Sequence, residues 1–198
     1  MMSGGIEALD RRQAVKALLE NRKDLLVVAG LGSPAYDVFA AGDSDANFYL
    51  WGAIGGAAMI GLGLVLAQPK RPVAVITGDG EQLMGLGSLL TIGVKKLGNL
   101  TIVVLDNGHY GETGMQLSHT GLGVKLATIA TGAGFTSVSE LATLEDIADF
   151  RPVLLNVGGG SRFANIRIST GHTERALPAR DGVYLKNRFR QRLGLPVN

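Results

Sequence analysis

Four consecutive residues, Gly78-Asp79-Gly80-Glu81, combine an anion-binding loop with a carboxylate. Two glycines let a backbone approach an anion closely, and the free N–H groups at the start of a following helix favour phosphate oxygens. Asp79, however, would repel a phosphate at close range. A bridging divalent cation removes this conflict, because Mg²⁺ accepts carboxylate, carbonyl and phosphate oxygens together. The segment therefore predicts a magnesium-dependent phosphate site, with Glu81 as a first-turn helix acid.

A second loop, 28 positions after Asp79, supplies the remaining oxygen ligands. Asn107 offers a neutral amide oxygen, and Gly108 allows a sharp turn that can direct the backbone carbonyl of His109 to the same metal. Two diphosphate oxygens and a water would complete an octahedron. Asp79 alone would more simply be a turn or helix-cap residue. Its pairing with Asn107 favours the metal, so we predict Asp79, Asn107 and His109 as metal ligands.

The elements that must position these loops alternate along the chain. Short apolar runs predict strands at 25–29, 48–50, 73–77, 100–105 and 153–157, and helical spacing predicts helices at 10–21, 54–67, 83–97, 124–132, 144–150 and 182–193. Continuously apolar strands that alternate with helices are typical of the α/β class, a doubly wound parallel sheet with helices on both faces. Ligands bind such sheets beyond the carboxyl ends of the strands, where both loops lie. Residues 158–180 are predicted to be irregular.

Other polar residues near the loops have weaker claims. Ser33 is predicted as a helix N-cap, with a proline at the first helical position, and could also contact phosphate. Glu112 is either a proton-transfer group or a surface residue. His109 is a second weak catalytic candidate, because its backbone already belongs to the predicted site. His119 is by default a solvated loop residue, and His172 has no predicted role.

Composition restricts the class of protein. The chain has 198 residues, 46% of them hydrophobic and 18% charged, which predicts one folded domain over 1–198 with a C-terminal tail from about 158. The absence of cysteine excludes disulfides, cysteine nucleophiles and Cys-ligated metals, and fits a cytoplasmic location. The net charge is +2 and basic residues are scattered until the last helix, so we expect no nucleic-acid face.

Two segments bear on targeting. The first ten residues have no basic region followed by an apolar core, so we expect no signal peptide. Residues 46–68 carry no charge and would be long enough to span a bilayer. Their five glycines and the strand-like run that follows favour a strand, a glycine turn and a buried helix. We therefore expect no membrane association.

The two loops together resemble the motif of thiamine diphosphate enzymes, a Gly-Asp-Gly followed after one helix and one strand by Asn-Asn. Asp106 replaces the first Asn, whereas the second, the metal ligand in the family, is present as Asn107. Residues 49–55 resemble the segment that holds the aminopyrimidine. The resemblance implies that the Gly52 carbonyl accepts a hydrogen bond from the 4′-amino group and that Ile54 supports the bent, V-shaped cofactor. The predicted cofactor-binding residues are Ser33, Gly52, Ile54, Gly78, Asp79, Gly80, Glu81, Asn107, His109, Tyr110 and Gly111.

Within this class, residues 30–120 resemble the diphosphate-binding half of the sulfopyruvate and phosphonopyruvate decarboxylases. The run from Gly111 to Gln116 resembles a family segment that continues with Pro, where this chain has Leu117. The resemblance implies one subunit of a thiamine diphosphate- and Mg²⁺-dependent decarboxylase or carboligase that acts on a small 2-oxoacid. It further implies a hetero-oligomer, in which a pyrimidine-binding partner subunit carries the catalytic Glu.

Two other interpretations remain open. Split transketolase-like enzymes also carry Gly-Asp-Gly-Glu, but they usually have longer diphosphate-binding halves with active-site histidines upstream, and no histidine precedes His109. Gly30-Leu31-Gly32 after a strand suggests a non-catalytic nucleotide-binding module. However, no acidic residue ends a strand about 20 residues later, as the dinucleotide fingerprint requires. The 2-oxoacid:ferredoxin oxidoreductase subunits often carry cysteines, which this chain lacks.

Overall fold

The computed structural model describes residues 8–171 and 173–197, so that His172 lies outside the described residues. The helices and strands are α1 (Arg11–Leu19), β1 (Leu26–Ala29), α2 (Ser33–Ala40), β2 (Asn47–Tyr49), α3 (Ala57–Ala67), β3 (Val73–Gly78), α4 (Asp79–Met84), α5 (Gly87–Lys95), β4 (Leu100–Asp106), β5 (His109–Tyr110), β6 (Gln116–Leu117), α6 (Leu126–Ala133), β7 (Ser137–Leu141), α7 (Leu144–Phe150), β8 (Arg162–Arg167) and α8 (Gly182–Arg192).

Six strands form one parallel sheet in the order β2-β1-β3-β4-β8-β7. The chain leaves β1 toward the β2 edge and then returns past β1 to β3, so the direction of winding reverses between β1 and β3. Ala29 pairs with Ile76, and Gly78 pairs with Leu105, which aligns the carboxyl ends of β1, β3 and β4. The predicted doubly wound α/β fold is confirmed, and its ligand-binding edge is the one where the winding reverses.

Apolar layers cover both faces of the sheet. Val27 and Ile76 point into a layer formed with α1, α2 and α7, while Val28 and Val75 point into a layer formed with α3, α5 and α6. Successive residues of a strand point to opposite faces. A strand that is buried on both faces must therefore be apolar at every position, which explains the continuous apolar runs.

The strand predicted at 153–157 is wrong. Arg151–Leu155 form a 3-10 helix with a proline in its first turn, and the last two strands are β7 and β8. β8 lies within the segment that was expected to be irregular. Because β8 contains two arginines and an asparagine, it is not a continuous apolar run and was not predicted as a strand. The buried Arg162 is accommodated by a hydrogen bond that it donates to the carbonyl of Asn156. β7 forms the edge of the sheet, and four of its five residues are exposed or half-buried, so it does not need to be apolar.

At three places a predicted helix is changed beside a glycine. The helix predicted at 83–97 is divided into α4 and α5 near Gly85, where an added Cβ would lie 2.1 Å from the carbonyl oxygen of Gly55. The helix predicted from Ile54 begins only at Ala57, which leaves Ile54 in a loop. Ser33 is not an N-cap, because Gly32 holds that position with φ 77° and starts the helix one residue earlier.

The charge-free stretch 46–68 contains β2, a loop and the 11-residue helix α3. This is the predicted strand, turn and helix. Along 8–171 and 173–197, no helix combines the length and the apolar character needed to cross a membrane.

Candidate functional site

A cavity of about 320 Å³ lies beyond the carboxyl ends of β1, β3 and β4. The loops after these strands and the β5–β6 hairpin form its walls. The predicted cofactor residues that line it are Ser33, Ile54, Gly78, Asp79, Gly80, Glu81, Asn107, His109, Tyr110 and Gly111. Gly52 instead lines a separate cavity beside Trp51. The structure thus brings together all the predicted cofactor residues except Gly52.

Asp79 is buried at 2% exposure and is the first residue of α4, so it does not cap that helix. Its Oδ2 accepts hydrogen bonds from Ser118 Oγ at 2.5 Å and from Thr120 Oγ1 at 3.0 Å. Burial raises the pKa of Asp79, the hydrogen bond from Ser118 partly offsets this, and the charge of Asp106 raises the pKa further. A cation beside Asp79 would compensate this buried charge.

Asp106 is fixed by groups from three parts of the chain. Its Oδ1 accepts hydrogen bonds from the N–H of Gly108 at 3.0 Å and from Thr120 Oγ1 at 2.7 Å. From β8, Asn165 Nδ2 donates to Oδ2 at 3.1 Å, and the Arg167 guanidinium lies 3.3 Å from Oδ1. The carboxylate that replaces the family's first Asn therefore has a cation and three neutral donors around it.

Asn107 shapes the second loop. Its Oδ1 accepts a hydrogen bond from the backbone N–H of His109 at 2.9 Å, and its carbonyl oxygen lies 2.8 Å from His109 Nδ1. Gly108 has φ 72°, and a Cβ there would lie 3.1 Å from the Cα of Gly121, so the turn requires glycine. Because an amide oxygen has two lone pairs, Asn107 Oδ1 retains one for a metal.

Glu81 connects two loops to the end of β3. Its Oε2 accepts hydrogen bonds from the N–H of Leu31 at 3.1 Å and from the Thr77 hydroxyl at 2.8 Å, while Oε1 accepts one from the N–H of Gly55 at 3.3 Å. Burial raises the pKa of Glu81, and the hydrogen bond from Thr77 offsets part of this rise. Interpretation as a first-turn acid missed this role, because Leu31 and Gly55 lie 50 and 26 residues away.

The glycine loop after β1 faces carboxylates. A Cβ added at Gly30 would lie 2.0 Å from Glu81 Oε2, and one added at Gly32 would lie 2.6 Å from Glu112 Oε1. In a dinucleotide-binding fold, the corresponding glycines make room for a pyrophosphate. Here the Glu81 and Glu112 side chains occupy that space, so the geometry disfavours the nucleotide-binding interpretation.

The two weak catalytic candidates lie in different surroundings. Glu112 is exposed, and its carboxylate contacts the Ser33 hydroxyl at 3.5 Å and the Arg175 guanidinium at 3.7 Å. His109 is half-buried, and its ring is engaged by the carbonyl of Asn107. Both line the cavity, and both already have partners within the chain.

Two large side chains border the cavity. The Tyr110 ring packs on Gly80, where an added Cβ would lie 2.7 Å from the ring. The Tyr110 hydroxyl also lies 3.4 Å from Nδ1 of His119, which does not line the cavity. Ile54 is 47% exposed although it is a large apolar residue. It therefore stands at the cavity wall with half of its surface open.

The loop that carries Gly52 is covered by the C-terminal part of the same chain. Trp51 Nε1 donates a hydrogen bond to the carbonyl of Ala179 at 2.7 Å, and the Arg180 guanidinium lies 5.1 Å from the centre of the indole ring. A cation over an indole face is attracted by the ring's quadrupole. The segment before α8 thus holds the Gly52 loop from one side.

Residues 37–168 match the family model of the thiamine pyrophosphate enzymes, C-terminal TPP binding domain. The chain belongs to this family. The matched range contains both loops of the motif, Gly78-Asp79-Gly80 and Asp106-Asn107. In this family the domain binds thiamine diphosphate, which is the cofactor predicted from those loops.

Relatives from two groups of decarboxylases share much of this thiamine pyrophosphate domain. Sulfopyruvate decarboxylase subunit beta of Methanothermobacter thermautotrophicus is 35% identical over 84% of this chain and 85% of its own length. Phosphonopyruvate decarboxylase of Streptomyces viridochromogenes is 39% identical over 78% of this chain, but the match spans only 37% of that protein. The solved structure of benzoylformate decarboxylase from Polynucleobacter necessarius shares the fold, with a TM-score of 0.67 and 21% identity over 87% of this chain and 36% of that one.

Proposed function

We propose that this chain is the diphosphate-binding subunit of a thiamine diphosphate- and Mg²⁺-dependent 2-oxoacid decarboxylase or carboligase. The observation that carries the proposal is that Asp79 and Asn107, from the two loops of the family motif, line one cavity where the sheet reverses its winding. The match to sulfopyruvate decarboxylase subunit beta, which spans most of both chains, supports a decarboxylase built from separate subunits.

The donor set suits Mg²⁺. The Asp79 carboxylate, the Asn107 amide oxygen and the His109 carbonyl would hold the ion, and all are oxygen donors of the kind that Mg²⁺ prefers. Asp79 is buried with a raised pKa, so a bound cation would relieve an unfavourable charge. Diphosphate oxygens and water would provide the other ligands. The other predicted contacts with the cofactor come from the predicted residues that line the cavity and from the carbonyl of Gly52.

When bound, thiamine diphosphate supplies the carbanion and electron sink that let a 2-oxoacid lose CO₂. The part of this chain is to hold the metal and, at Ile54, to support the bent cofactor. We place the catalytic Glu on a partner subunit, because Glu81 is tied to three donors within its own chain and Glu112 is exposed beside Arg175. Decarboxylation and carboligation both stay predictions, and so does the cytoplasmic location.

An exposed apolar surface supports the partner subunit. Ile54 and Met84 both line the cavity, and they are 47% and 62% exposed. Large apolar side chains that are grouped on a surface mark interaction sites. A partner that covers this face would also close the cavity on the side of Ile54.

Calorimetry of thiamine diphosphate binding, on this chain together with its partner, tests the metal site. We expect binding to require Mg²⁺ and to be lost in Asp79→Ala and Asn107→Ala, whereas Asp149→Ala, an exposed acid on α7, should bind as the wild type does. Metal-independent binding that survives Asp79→Ala would contradict the assignment. Tight binding of NAD instead of thiamine diphosphate would favour the nucleotide-binding module.

CO₂ release from a panel of 2-oxoacids tests whether the catalytic Glu lies on the partner subunit. The purified chain alone should release none, and addition of the partner subunit should restore turnover. Robust turnover by a homogeneous preparation of this chain would refute the placement of the catalytic Glu on a separate subunit.

A further inference from the structure

Two hydroxyl groups hold one oxygen of the predicted metal ligand Asp79. Ser118 Oγ and Thr120 Oγ1 both contact Oδ2, at 2.5 and 3.0 Å, and both residues are buried. They follow β6 in the chain and reach Asp79 across 39 and 41 residues. The backbone fixes their position, because the N–H of Ser118 donates to the carbonyl of Gly108 at 2.8 Å. The contact with Asp79 therefore depends on the backbone of Gly108, in the same loop as Asn107.

The same hydroxyls connect Asp79 to a second carboxylate. Thr120 Oγ1 lies 2.7 Å from Asp106 Oδ1 and 2.8 Å from Ser118 Oγ. Thr120 has one hydroxyl proton to share between the two aspartates, so Ser118 is the main donor to Asp79, and Thr120 links Asp79 and Ser118 to Asp106. Asp106 is in turn held by Arg167. The result is a hydroxyl bridge, Ser118 and Thr120, that connects Asp79 to the sheet through Asp106.

We propose that this hydroxyl bridge positions Asp79 for a small divalent cation, by occupying Oδ2 so that Oδ1 is the metal-binding atom. The proposal deepens the proposed function and rests on it for the presence of the metal. Two hydroxyls lie against Oδ2, one for each of its lone pairs, so the carboxylate is left to bind a metal through Oδ1 alone. That mode suits Mg²⁺, which demands near-ideal octahedral geometry, whereas Ca²⁺ also accepts carboxylates through both oxygens. The bridge should therefore favour Mg²⁺ over Ca²⁺ as well as strengthen binding.

The test uses variants that remove or retain single hydroxyls. Ser118→Ala removes the main donor, Thr120→Val removes the link with little change in shape, and Thr120→Ser restores the hydroxyl. Ser161→Ala is the matched control, because Ser161 is also fully buried but donates to the carbonyl of Leu97, away from the cavity. Each variant is assembled with the partner subunit and titrated with Mg²⁺ or Ca²⁺ at fixed thiamine diphosphate, with calorimetry as the readout.

Groups that orient metal ligands typically change metal affinity by about 10- to 100-fold when they are removed. We expect Ser118→Ala and Thr120→Val to raise the half-saturating Mg²⁺ concentration within that range and the Ca²⁺ concentration much less. Thr120→Ser and Ser161→Ala should resemble the wild type. Thermal unfolding without metal separates a loss of metal affinity from a general loss of structure. If Thr120→Val does not fold, Ser118→Ala, which deletes one oxygen atom, still tests the proposal.

Three results would overturn the proposal. Wild-type Mg²⁺ affinity in Ser118→Ala would show that the bridge does not position Asp79, while leaving the proposed function intact. An equal loss of Mg²⁺ and Ca²⁺ affinity would show that the bridge does not select between the ions. A wild-type complex that binds thiamine diphosphate without any divalent ion would remove the proposed metal site, and the inference with it.

Discussion

Replacement of Glu81 tests whether one carboxylate ties together the loops of the cofactor site. In Glu81→Ala the N–H groups of Leu31 and Gly55 and the hydroxyl of Thr77 lose their acceptor. A buried donor left unpaired costs about 1–3 kcal/mol. Because Leu31 and Gly55 are only half-buried, we take the lower end for each donor and expect the free energy of unfolding to fall by about 3 kcal/mol. Glu81→Gln keeps an acceptor oxygen, and we expect a change within about 1 kcal/mol at neutral pH.

The pH dependence adds a second signature. Burial raises the pKa of Glu81 in the folded state, so the folded chain holds this proton more tightly than the unfolded chain does. The part of the Glu81 contribution to stability that is linked to its proton is therefore fully present below the ordinary carboxyl pKa and is lost as the pH rises through the raised value. Urea unfolding of wild type, Glu81→Ala and Glu81→Gln across that range measures both effects, and Glu81→Gln should flatten the dependence. If Glu81→Ala changed stability by less than about 0.5 kcal/mol, the three contacts would not hold the loops together.

Further predictions concern positions at or near the cavity. Ile54→Ala should leave the circular-dichroism melt within about 1 kcal/mol of wild type, since Ile54 is 47% exposed, while turnover of the complete enzyme falls; unchanged turnover would make Ile54 an ordinary apolar residue. Gly85→Ala should cost about 1–3 kcal/mol in urea unfolding because its Cβ would meet the Gly55 carbonyl, whereas Gly87→Ala, which has open space, should cost nothing. Burial raises the pKa of Asp37 from 3.8 to about 6 despite two neighbouring arginines, so wild-type stability should fall by up to about 3 kcal/mol as the pH rises from 4 to above 6, and Asp37→Asn should abolish that fall.

The two loops of the family motif could be predicted because their signals are local. Asp79 and Asn107 each follow a continuously apolar strand at a glycine turn, and parallel strands place all such turns at one edge. In the structure β3 pairs with β4, and the two residues that follow these strands line the same cavity. The same reasoning predicts His109 as a site residue, since Gly108 determines the turn that joins it to Asn107.

The groups that hold the predicted metal ligands and their loops in place could not be predicted, because their contacts are long-range. Glu81 has the sequence position of an ordinary first-turn helix acid, and only the fold shows that Leu31 and Gly55 point at it. Ser118 and Thr120 are small hydroxyl residues in a loop, where such residues are common for reasons of turn geometry alone. Their separation from Asp79 follows no helical or strand period. Arg167 was hidden for a different reason, because its strand β8 is polar at both ends.

The position of β8 has a consequence for synthesis on the ribosome. β4 is made early but receives its second neighbour only with β8, and Arg167 is 61 residues beyond Asp106. At a synthesis rate of about 5–20 residues per second, the apolar edge of β4 stays unpaired for about three to twelve seconds before β8 is complete. During that interval Thr101–Leu105, a run rich in β-branched residues, can pair with another nascent chain. Products that stop before Arg167 should therefore aggregate, and Asp106 would be left without its cation.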